Sequence, residues 1–518
     1  MPFVESQEGP QEGREEGISG REDCLYLNVF APAMSPEEVA ELAEGLPVMV
    51  WIHGGGNSMG SGHVYDGSVL AKDGGVIVVS VNYRLGILGW LSHPALRLEG
   101  VGPLDASGNF GTLDLIRALE WVRDEIASFG GDPERVTVFG DSAGGGNIFS
   151  LLLSPRARGL FQGAIIQSGF LATTPRSEAE NFSHDEIPGA EHSSREFIVK
   201  LLVEEGRAPE PAAARRILSE MSSLEVARFL WARSPAELLA PFEGGGFGGM
   251  YPSPDLFRDG VVLPKADPLL LLREGRYNEV PVLLGTNRDE VKLFMLMASK
   301  NVRRFFKIPL WFRDQRAYAL ETDYPNQMWK ADGVDEPARA LSTANPGRNF
   351  AYRFDWDEER RFLFADLGQM LGACHAIEVP FVFGQLDFAG LDRYLFDSSR
   401  LPAAEELSRS MVSYWTEFAH SGDPGRGRDG RLPRWYAWDD STLESPRTFL
   451  LDTEEGGGLR MTAENLTRAS VLEKLASDPR FKNQEERCQV YRGFAEFGRS
   501  ISRETYGQLC PDFPLSGP

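Results

Sequence analysis

The residues best placed for covalent chemistry lie in "VTVFGDSAGGGN", Val136 to Asn147. Four β-favouring residues run into a knot of small ones and then into a helical pattern. Gly140 and Gly144 flank Ser142 at positions where a Cβ is expected to collide with crossing backbone. A serine in such a strand-to-helix turn is held exposed and strained, and can act as a nucleophile. The same pattern arises by chance in a chain with 55 glycines, where it marks an ordinary turn, so Ser142 needs partners. Acyl transfer requires a base for the serine proton, an acid to orient that base, and donors for the oxyanion. "WIHGGGNSMGSG", Trp51 to Gly62, follows directly from an apolar run. Consecutive glycines there let N–H groups face a ligand without side-chain obstruction. Gly55 and Gly56, with Ala143 just after the serine, form a candidate set of oxyanion donors. By itself the glycine triplet reads as a loose turn; two such elements, each at a strand end, point to one site.

The elements around these residues alternate in type. "LPVMVWI" (Leu46 to Ile52) and "GVIVVSVNY" (Gly75 to Tyr83) are short, β-branched and apolar on both faces, as buried strands are. "TLDLIRALEWVRDEIASF" (Thr112 to Phe129) places Leu113, Ile116, Leu119, Val122, Ile126 and Phe129 at helical spacing. Strands follow at "GAIIQS" (Gly163 to Ser168) and "VPVLLG" (Val280 to Gly285). This alternation predicts an α/β fold with a mostly parallel sheet covered on both faces, whose ligands sit beyond the carboxyl ends of the strands. Between about Phe170 and Pro264 the pattern loosens into short helices and the run "EGGGFGGMYPSPD" (Glu243 to Asp255), read as an insertion or cap over the sheet. Beyond Asp452 the chain is charged and helical in flavour, with no legible motif.

Bulk properties narrow the class. The 518 residues carry 53 Lys and Arg against 76 Asp and Glu, a formal charge of -23 that disfavours nucleic acid and anionic membranes as partners. Cys24, Cys374, Cys488 and Cys510 are too few and scattered for a disulfide framework or zinc site and read as reduced thiols. The acidic start, "MPFVESQEGPQEGREEG", lacks an apolar core and is expected to be a flexible arm over residues 1–20 rather than a secretory signal. No run is long enough to span a bilayer, so a cytoplasmic location is the expectation, with residues 21–518 as one catalytic domain.

Further segments carry a resemblance. They are "EDCLYLNVF" (Glu22 to Phe30), "YDGS" (Tyr65 to Ser68), "VNYRLGILGWL" (Val81 to Leu91), the stretch from Gly108 to Gly145 containing "FGGDPERVTVFGDSAGG", "LFQGAIIQSG" (Leu160 to Gly169), "VPVLLGTNRDE" (Val280 to Glu290), "GACHAIEVPFVFG" (Gly372 to Gly384) and "WTEFAHSGDP" (Trp415 to Pro424). In these the chain resembles the type-B carboxylesterases of the α/β-hydrolase superfamily, which include bacterial para-nitrobenzyl esterases, animal carboxylesterases and cholinesterases. The resemblance implies an α/β-hydrolase fold with a helical cap. It also implies hydrolysis of small-molecule carboxylic esters through an acyl-enzyme, with no metal or organic cofactor. It places the acid on Glu290, with Asp289 as the competing choice, and the base on His375, one of seven histidines. The chain order Ser142, Glu290, His375 is that of the superfamily. His53 is expected to brace the oxyanion loop. Ser168 matches a serine that in relatives hydrogen-bonds near the acid and base, against the alternative of an ordinary buried hydroxyl.

The chain also departs from the family. Relatives carry several tens of residues more before "EDCLYLNV", including opening strands and a loop closed by a disulfide to the cysteine at Cys24. Here no cysteine precedes Cys24, and residues 1–23 contain Phe3 as their only aromatic. In cholinesterases that loop supplies the aromatic platform for a quaternary ammonium, so the expectation is a more open pocket and no specialisation for choline esters. Val291 stands where the family has Gly, Leu115 where it often has Gln, and Asp141 where many members have Glu. "HGGG" with "GDSAGG" also fits the hormone-sensitive lipase family, which is shorter and lacks the "EDCLYLNV" and "FGGDP" segments. Either family's glycine loop suggests room for bulky alcohols. Superfamily members that have lost the nucleophile serve as binding proteins; this chain retains Ser142, Glu290 and His375.

Overall fold

The structure is a computed structural model that describes residues 20–515 apart from 42–43, 243–249, 252–253, 306–307, 363–364, 388–394 and 497–500. The expected N-terminal arm, but for Gly20, and most of the run from Glu243 to Asp255 lie outside the described residues.

A nine-stranded sheet organises the fold. Its strands in chain order are β1 (Leu27–Phe30), β2 (Leu46–Ile52), β3 (Ile77–Val81), β4 (Gly131–Asp141), β5 (Gly163–Gln167), β6 (Val282–Asn287), β7 (Asn349–Phe354), β8 (Thr448–Leu451) and β9 (Arg460–Thr462). In space they run β1-β3-β2-β4-β5-β6-β7-β8-β9, parallel except for the antiparallel edge strands β1 and β9. Side chains alternate between the sheet's faces, and both are apolar. Val48, Val50 and Ile52 of β2 join one core with Val136, Val138, Ala164 and Ile166, while Met49 and Trp51 join the other with Phe139, Ile165 and Tyr352. These are the two covered faces expected of an α/β-hydrolase.

The longer helices are α1 (Phe110–Glu125), α2 (Ala143–Leu153), α3 (Ser194–Glu204), α4 (Pro211–Glu220), α5 (Ser223–Trp231), α6 (Gln315–Lys330), α7 (Glu336–Ala344), α8 (Leu401–Ser421), α9 (Arg468–Ser477), α10 (Gln484–Glu496) and α11 (Arg503–Leu509). Element ends shift from expectation for local reasons. The apolar run from Gly75 becomes strand only at Ile77, because Gly75 caps the preceding helix in the left-handed region at φ 61°. The helix read as reaching Phe129 leaves α-geometry after Glu125 and finishes as a 3₁₀ turn at Gly130, φ 84°. Phe129 is thereby 42% exposed instead of facing the core.

Helices α3 to α5 share an apolar cluster with Ile87, Ala95 and Tyr251. Ser222 with Glu225 and Ser234 with Glu237 form capping boxes that start the helices there. The C-terminal residues, which showed no motif, form a further core: Val471, Leu475, Tyr491 and Phe494 pack with Leu320, Tyr324 and Met328 of α6. The expectation of four separate thiols is corrected there. Cys488 on α10 and Cys510, next after α11, are joined by a disulfide, while Cys24 and Cys374 are free and buried. The packing of α10 against α11 brings the two Cα atoms to 5.8 Å, a proximity that the sequence separation of 22 does not reveal.

Candidate active site

Ser142 follows β4 directly and caps α2 with φ 60° and ψ −122°, a backbone conformation that costs a non-glycine residue about 1–3 kcal/mol. The flanking glycines explain how the surroundings enforce it. A Cβ on Gly140 would lie 2.4 Å from the Ile52 carbonyl oxygen, and one on Gly144 would lie 2.0 Å from the same atom. The turn can therefore close against β2 only with glycine at both places. The Ser142 N–H donates to the Gln167 carbonyl at 2.9 Å, and the α2 N-terminus opens directly after it, so the helix dipole favours negative charge at this point.

Strand β2 lies beside β4, with Ile52 opposite Gly140, so the glycine loop and Ser142 leave the sheet side by side. A Cβ on Gly54 would sit 2.9 Å from the Asp141 carbonyl oxygen and 3.0 Å from the Ser142 Cβ. Gly55 and Gly56 have φ of 101° and 63°, and the Gly55 carbonyl accepts from the N–H groups of Ser58 and Met59. Among the described residues, the N–H groups of Gly55, Gly56 and Ala143 are committed to no hydrogen bond. The loop is braced from several sides. Asn57 donates to Asp255 at 2.6 Å and accepts from Asn147 at 2.9 Å, and Ser58 Oγ accepts from the Tyr251 N–H at 3.3 Å. His53 stacks on Tyr83, and burial lowers its pKa to about 4. Its neutral Nδ1 therefore donates to the Gly54 carbonyl, 2.8 Å away.

Glu290 follows β6 and is fully buried. One oxygen, Oε1, accepts from Thr286 Oγ1 at 2.8 Å and the Asn287 N–H at 2.7 Å; the other, Oε2, lies 2.6 Å from His375 Nδ1. The His375 N–H also donates to the Glu290 carbonyl at 3.3 Å. Asp289 takes a different path, pairing with Arg288 and Lys292 at 2.9 Å each. Val291 has φ −74°, so this loop needs no glycine where the family has one. Between the two carboxylates of "RDE", Glu290 is the one joined to His375.

Two further buried acids belong here: Asp141, which the sequence marked only as a departure from the family, and Glu378, which sequence reasoning missed. Glu378 accepts from Gln167 Nε2 at 3.1 Å and Asn287 Nδ2 at 2.6 Å, and Gln167 accepts in turn from Trp415 Nε1 at 3.2 Å. Glu378 lies three residues after His375 in "HAIE", but Ala376 has φ 65°, so the segment is an irregular turn that no helical periodicity announces. Burial pushes the Asp141 carboxyl well above the usual carboxylate range, with the Glu378 charge adding to it; Glu378 is raised by burial and by Glu290. Burial alone would lower His375, but the charges of Asp141 and Glu290 and the Glu290 hydrogen bond outweigh it and raise the imidazole to about 9. The lift from Asp141 operates only while that carboxyl is ionised.

Ser168 is buried with φ 51°, and its Oγ has no hydrogen-bond partner among the described residues. The expected side-chain bond is absent there. It is the backbone of Ser168 that links elements: its N–H donates to the Gly285 carbonyl at 2.8 Å, and its carbonyl accepts from Trp329 Nε1 at 3.3 Å. Among the described residues no group of three or more His, Cys, Asp or Glu is arranged to hold a metal ion.

Comparison with known proteins gives a consistent result. The family model described as "Carboxylesterase family" matches residues 4–336 and 334–467. The chain is 34% identical over 469 residues to the para-nitrobenzyl esterase of Bacillus subtilis (strain 168), covering 88% of this chain and 83% of that one. It is 32% identical over 449 residues to the cocaine esterase of Homo sapiens, covering 81% and 70% respectively. Among solved structures it is similar to a PNB esterase, with TM-score 0.61 and 30% identity over 92% of this chain and 88% of that one. The Geobacillus stearothermophilus carboxylesterase EST55 at pH 6.8 aligns with TM-score 0.60 and 28% identity over 83% and 81%.

Proposed function

Because the chain belongs to the carboxylesterase family and is a serine ester hydrolase of the α/β-hydrolase fold, we propose that Ser142 is its nucleophile, His375 its general base and Glu290 the acid that orients the base. The observation that carries this assignment is the 2.6 Å contact between His375 Nδ1 and Glu290 Oε2. With Nδ1 held by the carboxylate, Nε2 is the nitrogen that takes the Ser142 proton as the hydroxyl attacks the ester carbonyl. The N–H groups of Gly55, Gly56 and Ala143 hold the oxyanion, and losing one such donor typically costs about 2.7–4 kcal/mol of transition-state stabilisation. His375 then protonates the leaving alcohol, and water repeats the sequence on the acyl-enzyme. Ser168 supports the turn beside the nucleophile through its backbone.

The segment within 170–264 acts in this reading as a cap, a role supported by the contacts of Tyr251 and Asp255 with the oxyanion loop. The substrate is a small-molecule carboxylic ester. Among the described residues no helix is long and apolar enough to cross a membrane. A cytoplasmic location would require the Cys488–Cys510 bond to persist in a reducing compartment, where disulfides are rare; the bond supports an oxidising one.

The test compares wild type with Ser142→Ala on para-nitrophenyl butyrate. Wild type is expected to show rapid turnover and the variant a loss of roughly 10⁴-fold or more. Equal rates for the two proteins would sink the assignment.

A further inference from the structure

Three aromatic rings that the hydrolytic steps do not use converge beside His375. The Trp329 ring centre lies 5.0 Å from the imidazole at a tilt of 52°, and that of Phe294 lies 5.5 Å away at 39°. Phe170 packs on Trp329 at 4.3 Å. All three are half-buried, and they come from separate places in the chain: the end of α6, the short helix Lys292–Ala298 that follows Glu290, and the segment just after Ser168.

The position of Trp329 is enforced from behind. Between α6 and α7 the chain makes a π-helical turn, Ala331–Asp335. Lys330 and Asp335 are both buried, and the ammonium lies 2.7 Å from each carboxylate oxygen. On an α-helix, residues five apart point about 140° away from each other, whereas a widened turn brings them to one side. The ion pair and the π turn therefore require one another, and together they set the rotation of the helix end that carries Trp329. Two further contacts hold the turn in place. A Cβ on Gly333 would lie 2.6 Å from the Gly169 carbonyl oxygen, and Asp335 accepts from the Leu466 N–H at 2.6 Å.

We propose that Trp329 is a specificity-determining residue that, with Phe294 and Phe170, selects esters of planar aromatic alcohols, and that the Lys330–Asp335 pair is the positioning device that holds it there. The inference rests on His375 as the base. The departing oxygen must come within hydrogen-bond reach of the imidazole to receive its proton, so the group on that oxygen lies against whatever lines the ring. A planar π-system there gains tilted and offset ring contacts that a saturated ring of the same size does not.

Benzyl acetate and cyclohexylmethyl acetate share an acyl group and differ little in size, and acid release from both can be followed by titration. Wild type is expected to favour the benzyl ester in kcat/KM by roughly threefold to tenfold, the range for aromatic pair contacts. Trp329→Phe should keep most of that ratio, and Trp329→Leu should bring it close to one. Asp335→Asn leaves a buried ammonium unpaired and can prevent folding, so the positioning half is read from the double variant Lys330→Met with Asp335→Leu, whose ratio should also fall towards one. A wild-type ratio of one, or an unchanged ratio in Trp329→Leu, overturns the selectivity. A wild-type ratio in the double variant overturns the positioning role. Hydrolysis of both esters undiminished in Ser142→Ala would instead bring down the serine mechanism, and this inference with it.

Discussion

His375 sits among three buried carboxylates, Asp141, Glu290 and Glu378, and this sets the conditions under which it can serve as a base. Its neutral form is the one that accepts a proton, and with the pKa raised to about 9 that form grows in as pH rises through the alkaline range. The kcat/KM for a neutral ester is therefore expected to climb with pH well above the ordinary histidine value. Asp141→Asn removes one of the charges that lift the imidazole, so the limb should move to lower pH; a limb that stays put or moves upward would contradict this role. At this scale the sequence was most legible where a residue type has few bland uses. Glycines packed against a serine, and a histidine inside a recognisable segment, identified Ser142, Gly55, Gly56 and His375 as candidates. Glu378, Asn287 and Gln167 went unread because they act through hydrogen bonds that exist only once β5, β6 and the His375 loop are assembled. Ser168 was noticed for a hydroxyl that bonds to nothing described, while its backbone makes the contacts.

At the scale of elements, the strand ends do the positioning. Strands β2, β4 and β6 deliver the glycine loop, Ser142 and Glu290 to one edge of the sheet, as parallel α/β sheets do. The turn between β4 and α2 depends on an approach that leaves no space for a side chain, since a Gly144 Cβ would fall 2.0 Å from the Ile52 carbonyl oxygen. Gly144→Ala must push β2 and the turn apart. It is expected to lower the melting temperature, with a cost of about 1–3 kcal/mol for overpacking, and to cut turnover by displacing Ser142 from the oxyanion loop. A variant with wild-type melting and activity would show that the turn can yield. The strands themselves were legible because each is apolar on both faces, as in β2, where Val50 and Trp51 enter different cores. Helix ends were less so: Gly130 stops the helical run in a way that exposes Phe129, a choice made by the turn's geometry and not by periodicity.

For the molecule as a whole, the parts that sequence reading left blank are those held by tertiary contact. Helices α9 to α11 have no catalytic motif, yet they pack on α6, whose far end carries Trp329, and the Cys488–Cys510 bond ties α10 to the end of α11. Their apolar residues are interrupted by charges that face solvent, so no long periodic stripe announces a core. The cysteines looked isolated because their partnership exists only through helix packing. The proposed active centre is instead drawn from segments spread from Gly55 to His375, and its unity is the claim on which everything else depends. Treating the intact protein with a slight excess of diethyl para-nitrophenyl phosphate and following intact mass, peptide mass and residual esterase activity tests it directly. The expected result is one diethylphosphoryl adduct per chain, located on Ser142, formed in step with loss of activity and absent from Ser142→Ala. Inactivation with the adduct on another residue, or without any adduct, would contradict it.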